Sequence, residues 1–238
     1  DSLLLFIHHP SLFIIHYPLS IIHYSSSILN HSLFPFPHQL FTFQTIASPV
    51  EAEFTDRGSR FIAYAFPIES TSDFKMHLQR LKEQHPKAVH HCFAYRLGTD
   101  KLNFRSSDDG EPSGSAGKPI LNQIDSMGLT DVLVVVVRYF GGILLGVPGL
   151  INAYKVSTQQ ALRQAKVETR AIEKLLWLQT DYNSMNDVMH WIKYYQLKVV
   201  DKQIDLFCSF RIKIPSDKET EIMARFQQAT IEYKFLDE

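Results

Sequence analysis

DDGEPSGSAGKPILNQIDSMGLTDVLVVVVRYFGGILLGVPGLINAY, Asp108–Tyr154, reads as a polar loop, a short helix, a buried strand, a glycine loop and the start of a long helix. The strand, expected over Asp131–Tyr139, contains the unbroken apolar run Val132–Val137. A run with no polar alternation suits a strand covered on both faces. It ends at Arg138-Tyr139, and glycines follow at 141, 142, 146 and 149. Such clustering marks backbone that needs positive φ or a close approach. Loops on a rigid scaffold are where function concentrates, so this stretch is the first place to look.

Outward from it, the chain reads as two α+β units. Upstream, Val50–Asp56 and Ser59–Ile68 form a hairpin across Asp56-Arg57-Gly58. A helix follows over Ser72–Gln84 with Phe74, Leu78 and Leu81 on one face, then a strand over Ala88–Leu97 and a return over Leu102–Arg105. Pro119 opens a helix with Ile120, Ile124 and Met127 as its stripe, ended by Gly128. A long helix is expected from about Pro148 to Val167, with Arg163, Lys166 and Arg170 forming one basic edge. After a linker near Thr169–Ala171, the pattern is β-α-β-β-α-β, the split-βαβ arrangement of ferredoxin-like folds. Its first helix buries Met185, Val188, Met189 and Ile192. Its second opens on a Ser216-x-x-Glu219 capping box. Residues 1–43 contain no Lys or Arg and six of the eleven histidines, and they read as a leader or a mis-set start rather than folded chain. The expected domains are thus 44–170 and 171–238.

Composition excludes some classes. The formal net charge is −1, and residues 44–170 hold 15 Lys/Arg against 13 Asp/Glu, so no global basic field steers nucleic acid. No apolar run approaches the ~20 residues that span a bilayer. Cys92 and Cys208 lie far apart without a zinc spacing and read as buried thiols. The polar loop fails the P-loop pattern, because Pro112 occupies the first glycine position and Pro119 the hydroxyl position. Asp108, Asp109 and Glu111 are the residues that a hard cation or a hydrolase would use. They serve equally well as turn caps. Arg138 at the end of a buried strand needs a carboxylate partner, which makes Asp108, Asp109 or Glu111 the expected one.

Three blocks, DDGEPSGSAGKP (Asp108–Pro119), VVVVRYFGGILLG (Val134–Gly146) and GLINAY (Gly149–Tyr154), with His91, Cys92 and Ala94 upstream, resemble the IMPACT/YigZ family. The chain departs from that pattern at Leu144, where many members carry Lys, and at Pro148, where Gly is usual. The resemblance implies two two-layer domains, the first like domain IV of elongation factor G and the second ferredoxin-like, as its domain V is. It implies a family motif loop of His91, Asp108, Asp109, Gly110, Glu111, Pro112 and Gly117. It also implies a cytoplasmic, translation-linked regulator that binds RNA, the ribosome or a ribosome-associated protein rather than turning over a substrate, with no cofactor, metal or membrane. Eukaryotic members act on translation initiation through kinase-activating machinery on ribosomes. On that reading Lys118, Arg138, Tyr139, Gly141, Gly142, Tyr154, Lys155, Arg163, Lys166 and Arg170 form the binding face. The alternatives are a hydrolase or phosphate-handling enzyme built on the acidic loop, and a protein–protein adaptor that uses the C-terminal sheet.

Overall fold

The structure is a computed structural model and describes residues 41–205, 207–229 and 231–236. The expected leader, apart from Phe41–Phe43, lies outside the described residues.

Alternating burial sets the first sheet. Strands β2 (Val50–Asp56) and β3 (Ser59–Pro67) form a two-residue hairpin in which Arg57 and Gly58 both have positive φ, 46° and 77°. That is the turn whose twist matches a right-handed hairpin. Strand β4 (His90–Leu97) and strand β5 (Asn103–Ser107) pair antiparallel, and β6 (Val132–Tyr139) lies between β3 and β4. The order is β2-β3-β6-β4-β5, antiparallel throughout. Central β6 is covered on both faces, as its unbroken apolar run demands. Val132, Val134 and Val136 pack into the core built with α2 (Gly117–Ser126) and α3 (Gly146–Gln164), while Leu133, Val135 and Val137 pack under α1 (Thr71–Gln84).

Two local expectations change, and one helix start gains a cap. Helix α3 ends at Gln164, because Ala165 takes an extended conformation (φ −70°, ψ 135°). Val167–Ala171 then forms β7, which pairs antiparallel with β1 (Thr42–Ile46) as a separate ribbon. The segment read as a linker is therefore a paired strand. Helix α1 begins with a capping box: Ser70 Oγ accepts from Asp73 N at 3.2 Å, and the Asp73 carboxylate accepts from Ser70 N at 2.9 Å.

The second sheet contains β8 (Glu173–Thr180), β9 (Lys198–Ile204), β10 (Cys208–Pro215) and β11 (Glu232–Phe235) in the order β11-β8-β10-β9. That is the ferredoxin-like order expected from the pattern. Helices α4 (Met185–Tyr194) and α5 (Glu219–Gln228) cover one face through Val188, Ile192, Ile222 and Phe226. Met189, expected inside, is exposed, and Trp191 packs against Phe226 instead. Helix α5 starts too late for Ser216 to cap it. Lys218 is the cap residue, and Ser216 Oγ has no hydrogen-bond partner. Cys92 and Cys208 are both buried and unbridged. Among the described residues no helix is long and apolar enough to cross a membrane.

Candidate functional site

The end of β6 and the loop after β5 meet in a buried polar knot. Glu111 Oε1 accepts from Arg138 Nη1 at 2.5 Å and from Tyr154 Oη at 2.7 Å, with all three residues buried. This is the carboxylate partner that Arg138 required. Arg138 also lies between the rings of Phe61 and Phe140, 5.4 and 5.6 Å from their centroids. Burial raises the ionisation points of both Tyr154 and Cys92, so both remain protonated donors at neutral pH. The Cys92 thiol is placed to donate to Asp108 O at 3.0 Å and to Tyr154 Oη at 3.3 Å.

The acidic loop fills itself. Asp108 accepts amides from Gly114, Ala116 and Gly117 at 2.8–2.9 Å. Burial pushes its carboxyl upward, yet those amides together hold it below the usual carboxylate range. The nest of amides that a phosphate would need is therefore occupied by the chain's own carboxylate. Asp109, at φ 43°, accepts from His91 N at 2.6 Å, and its carbonyl accepts from His90 Nδ1–H at 2.7 Å. Each of the three acids is thus held by a different donor set. No group of acids, histidines or cysteines among the described residues converges as metal ligands would. Gly117 is required by packing, because a Cβ there would lie 2.7 Å from Ser107 N.

The predicted binding residues do not assemble as one face. Arg138 and Tyr154 are inside the knot and present nothing to solvent. Tyr139 is half-buried on the opposite face of the sheet, hydrogen-bonded to His85 Nδ1 at 2.9 Å. Lys118 is exposed on the first turn of α2, and Lys155 and Arg163 are exposed on α3. Lys166 lies beyond that helix, and Arg170 is on β7, bridged to Glu168 at 2.7 Å and Glu69 at 3.6 Å. Arg163, Lys166 and Arg170 therefore share no helical edge, because the helix that would align them stops at Gln164. Gly141 and Gly142 are exposed, as is Gly110, while Pro112 is exposed beside buried Glu111.

What periodicity did not reveal is apolar. Phe140, Ile143, Leu144, Val147 and Ile151 are all exposed, Leu144 at 81%. They surround the glycine loop and the first turns of α3. The loop's base is fixed: Gly141 sits against the Gly58 backbone so closely that a Cβ would overlap its carbonyl, and Gly141 N donates to Ser59 Oγ at 3.1 Å. A loop composed of Ile, Leu and Val was the available signal.

Sheet order, the Arg138–Glu111 knot and the self-filled acidic loop together define an α+β scaffold of two helix-backed sheets and a two-stranded ribbon, with an apolar tip on an anchored base. Residues 57–162 match the Impact N-terminal domain. The chain is 34% identical over 181 residues to the Escherichia coli IMPACT family member YigZ, covering 75% of this chain and 89% of that one. It is 40% identical over 157 residues to a Haemophilus influenzae IMPACT family member, covering 65% and 76%. A solved structure described as a hypothetical protein is similar at 31% identity and TM-score 0.69, over 83% of this chain and 98% of that one. The chain belongs to the IMPACT family.

Proposed function

We propose that this protein is a translation-linked regulator that acts by binding, and that it docks a ribosome-associated protein through the apolar tip of its first sheet. The observation that carries the reading is the tip itself: five exposed apolar side chains around a loop anchored at Gly141 and at the buried Arg138. Contiguous exposed apolar surface on a rigid base marks an interaction site. The family resemblance supplies the link to translation. The same geometry disfavours the enzymatic alternative, since Asp108, Asp109 and Glu111 already accept strong hydrogen bonds that a metal or substrate would have to displace.

The test is co-sedimentation of the full chain with ribosomes at low and moderate salt. Docking by an apolar tip is weakened by Leu144→Asp and changes little with salt. RNA contact through Lys155, Arg163 and Lys166 predicts the reverse: steep loss with salt and with Arg163→Ala/Lys166→Ala, and indifference to Leu144→Asp. That second pattern would overturn the docking reading.

A further inference from the structure

Among the described residues, no helix covers one face of the C-terminal sheet. Leu176, Leu178, Phe210, Ile212 and Ile214 point into the core with α4 and α5. The residues between them point the other way and are exposed or half-buried. Two adjacent cross-strand rows run over the centre of this open face. In the first, Lys234, Trp177, Arg211 and Asp201 stand side by side across β11, β8, β10 and β9. In the second, Leu175, Lys213 and Lys198 do the same across β8, β10 and β9. These rows carry Lys234, Arg211, Lys213 and Lys198 with Asp201, which is paired with Arg211 at 2.6 Å, and the next row carries Glu232 beside Gln179, Ser209 and Gln203. Beside the Trp177 ring is a cleft of about 310 Å³ lined by Asp201, Gln203, Ser209 and Arg211.

From this juxtaposition we infer that the open face of the C-terminal sheet binds single-stranded RNA, with Trp177 as the stacking platform. A base stacks on an aromatic ring whatever its identity, and flanking cations take the phosphates. Lys234 on one side of Trp177 places positive charge where the backbone of a stacked strand would pass, and Arg211 on the other side is held in place by Asp201. The acceptors Gln203 Oε1 and Ser209 Oγ in the adjacent cleft suit a ribose 2′-hydroxyl, which can donate a hydrogen bond. The site is on a different sheet from the docking tip, uses different chemistry, and stands or falls separately from it.

The chain's two tryptophans make the test direct. Trp191 packs against Phe226 on the covered side, 5.7 Å between ring centroids, so Trp191→Phe leaves Trp177 as the sole reporter. The full chain carrying that substitution is titrated with a mixed-sequence single-stranded RNA of about 12 nucleotides. The expected result is quenching of Trp177 fluorescence, with affinity that falls as salt rises. In the otherwise wild-type chain, binding followed by anisotropy of a labelled RNA weakens about tenfold or more on Trp177→Ala and is largely restored by Trp177→Phe. Lys198→Ala/Lys234→Ala reduces the salt slope by about 1.4, two phosphates at about 0.7 each. Leu144→Asp leaves RNA binding intact, which separates this site from the docking tip. No quenching at low salt, as for a face that takes a protein segment instead, would overturn the inference. So would equal binding of duplex RNA or of single-stranded DNA of the same sequence.

Discussion

Glu111 receives two strong donors in a buried site, with the His90 ring further off, its Nε2 3.9 Å from Oε1. Arg138→Ala leaves a buried carboxylate with only the Tyr154 hydroxyl, which should cost about 3–5 kcal/mol in denaturant unfolding. Glu111→Gln keeps an acceptor for Tyr154 but leaves the Arg138 guanidinium buried without its counter-charge, so it should also be clearly destabilising. A loss under about 1 kcal/mol for Arg138→Ala would show that the knot is not what fixes the loop. This pairing was legible from sequence, because an Arg closing a buried strand requires a carboxylate and three lay just upstream. The identity of the partner was not legible, since only the fold shows that Asp108 turns inward to its own amides. Histidines set the pH response. Burial lowers the ionisation points of His77 and His91 below their ordinary value of about 6.5. A base whose folded value is depressed takes up its proton more readily when unfolded. The associated stability is therefore complete above about pH 6.5 and is lost as pH falls through it. Asp73 and Asp108, held low by their hydrogen bonds, begin to add to the loss only below about pH 4. The melting temperature should accordingly decline between about pH 7 and 5, and His77→Gln/His91→Gln should flatten that decline. A flat wild-type profile over that range would contradict the assignment.

Elements were legible where one local rule sufficed. The β6 run announced a strand covered on both faces, and the Arg57-Gly58 pair announced the β2–β3 hairpin. Errors came where a distant partner or a terminus decided. Strand β1 pairs with residues more than 120 positions away, a contact that periodicity does not report. Helix α3 was read too long because Ala165 and Val167 continue an apolar pattern after the backbone has already become extended. The serines ahead of α1 and α5, of which only Ser70 caps its helix, make the point experimentally. Ser70→Ala removes the acceptor for Asp73 N and should cost about 1 kcal/mol, whereas Ser216→Ala, which removes no cap bond, should be near neutral. Equal effects in thermal melts would place the caps wrongly. The glycine loop offers a similar contrast. Gly142→Ala meets open space and carries only the cost of a left-handed residue, about 1–2 kcal/mol. Gly141→Ala must push the β2–β3 turn away and should be clearly more destabilising.

At the scale of the molecule, two sheets present two unlike surfaces: an aliphatic tip on the first and an aromatic, cation-flanked face on the second. The fold class and the ferredoxin-like order followed from the sequence, because alternating strands and amphipathic helices are local signals that together admit few topologies. The location of the binding surface did not follow. Counting basic residues favoured Lys118, Arg138, Lys155, Arg163, Lys166 and Arg170, yet burial removes Arg138 and the end of α3 separates Arg163 from Lys166 and Arg170. Exposure of Leu144 is a property of the packed loop and not of any spacing. Co-sedimentation of the full chain with ribosomes, comparing Trp177→Ala with Trp177→Ala/Leu144→Asp across a salt titration so that the C-terminal sheet adds no RNA contact, tests the central claim most directly. Salt-tolerant binding that Leu144→Asp abolishes without altering the melting temperature is the predicted result. Binding unchanged by Leu144→Asp, or no binding by Trp177→Ala even at low salt, would contradict it.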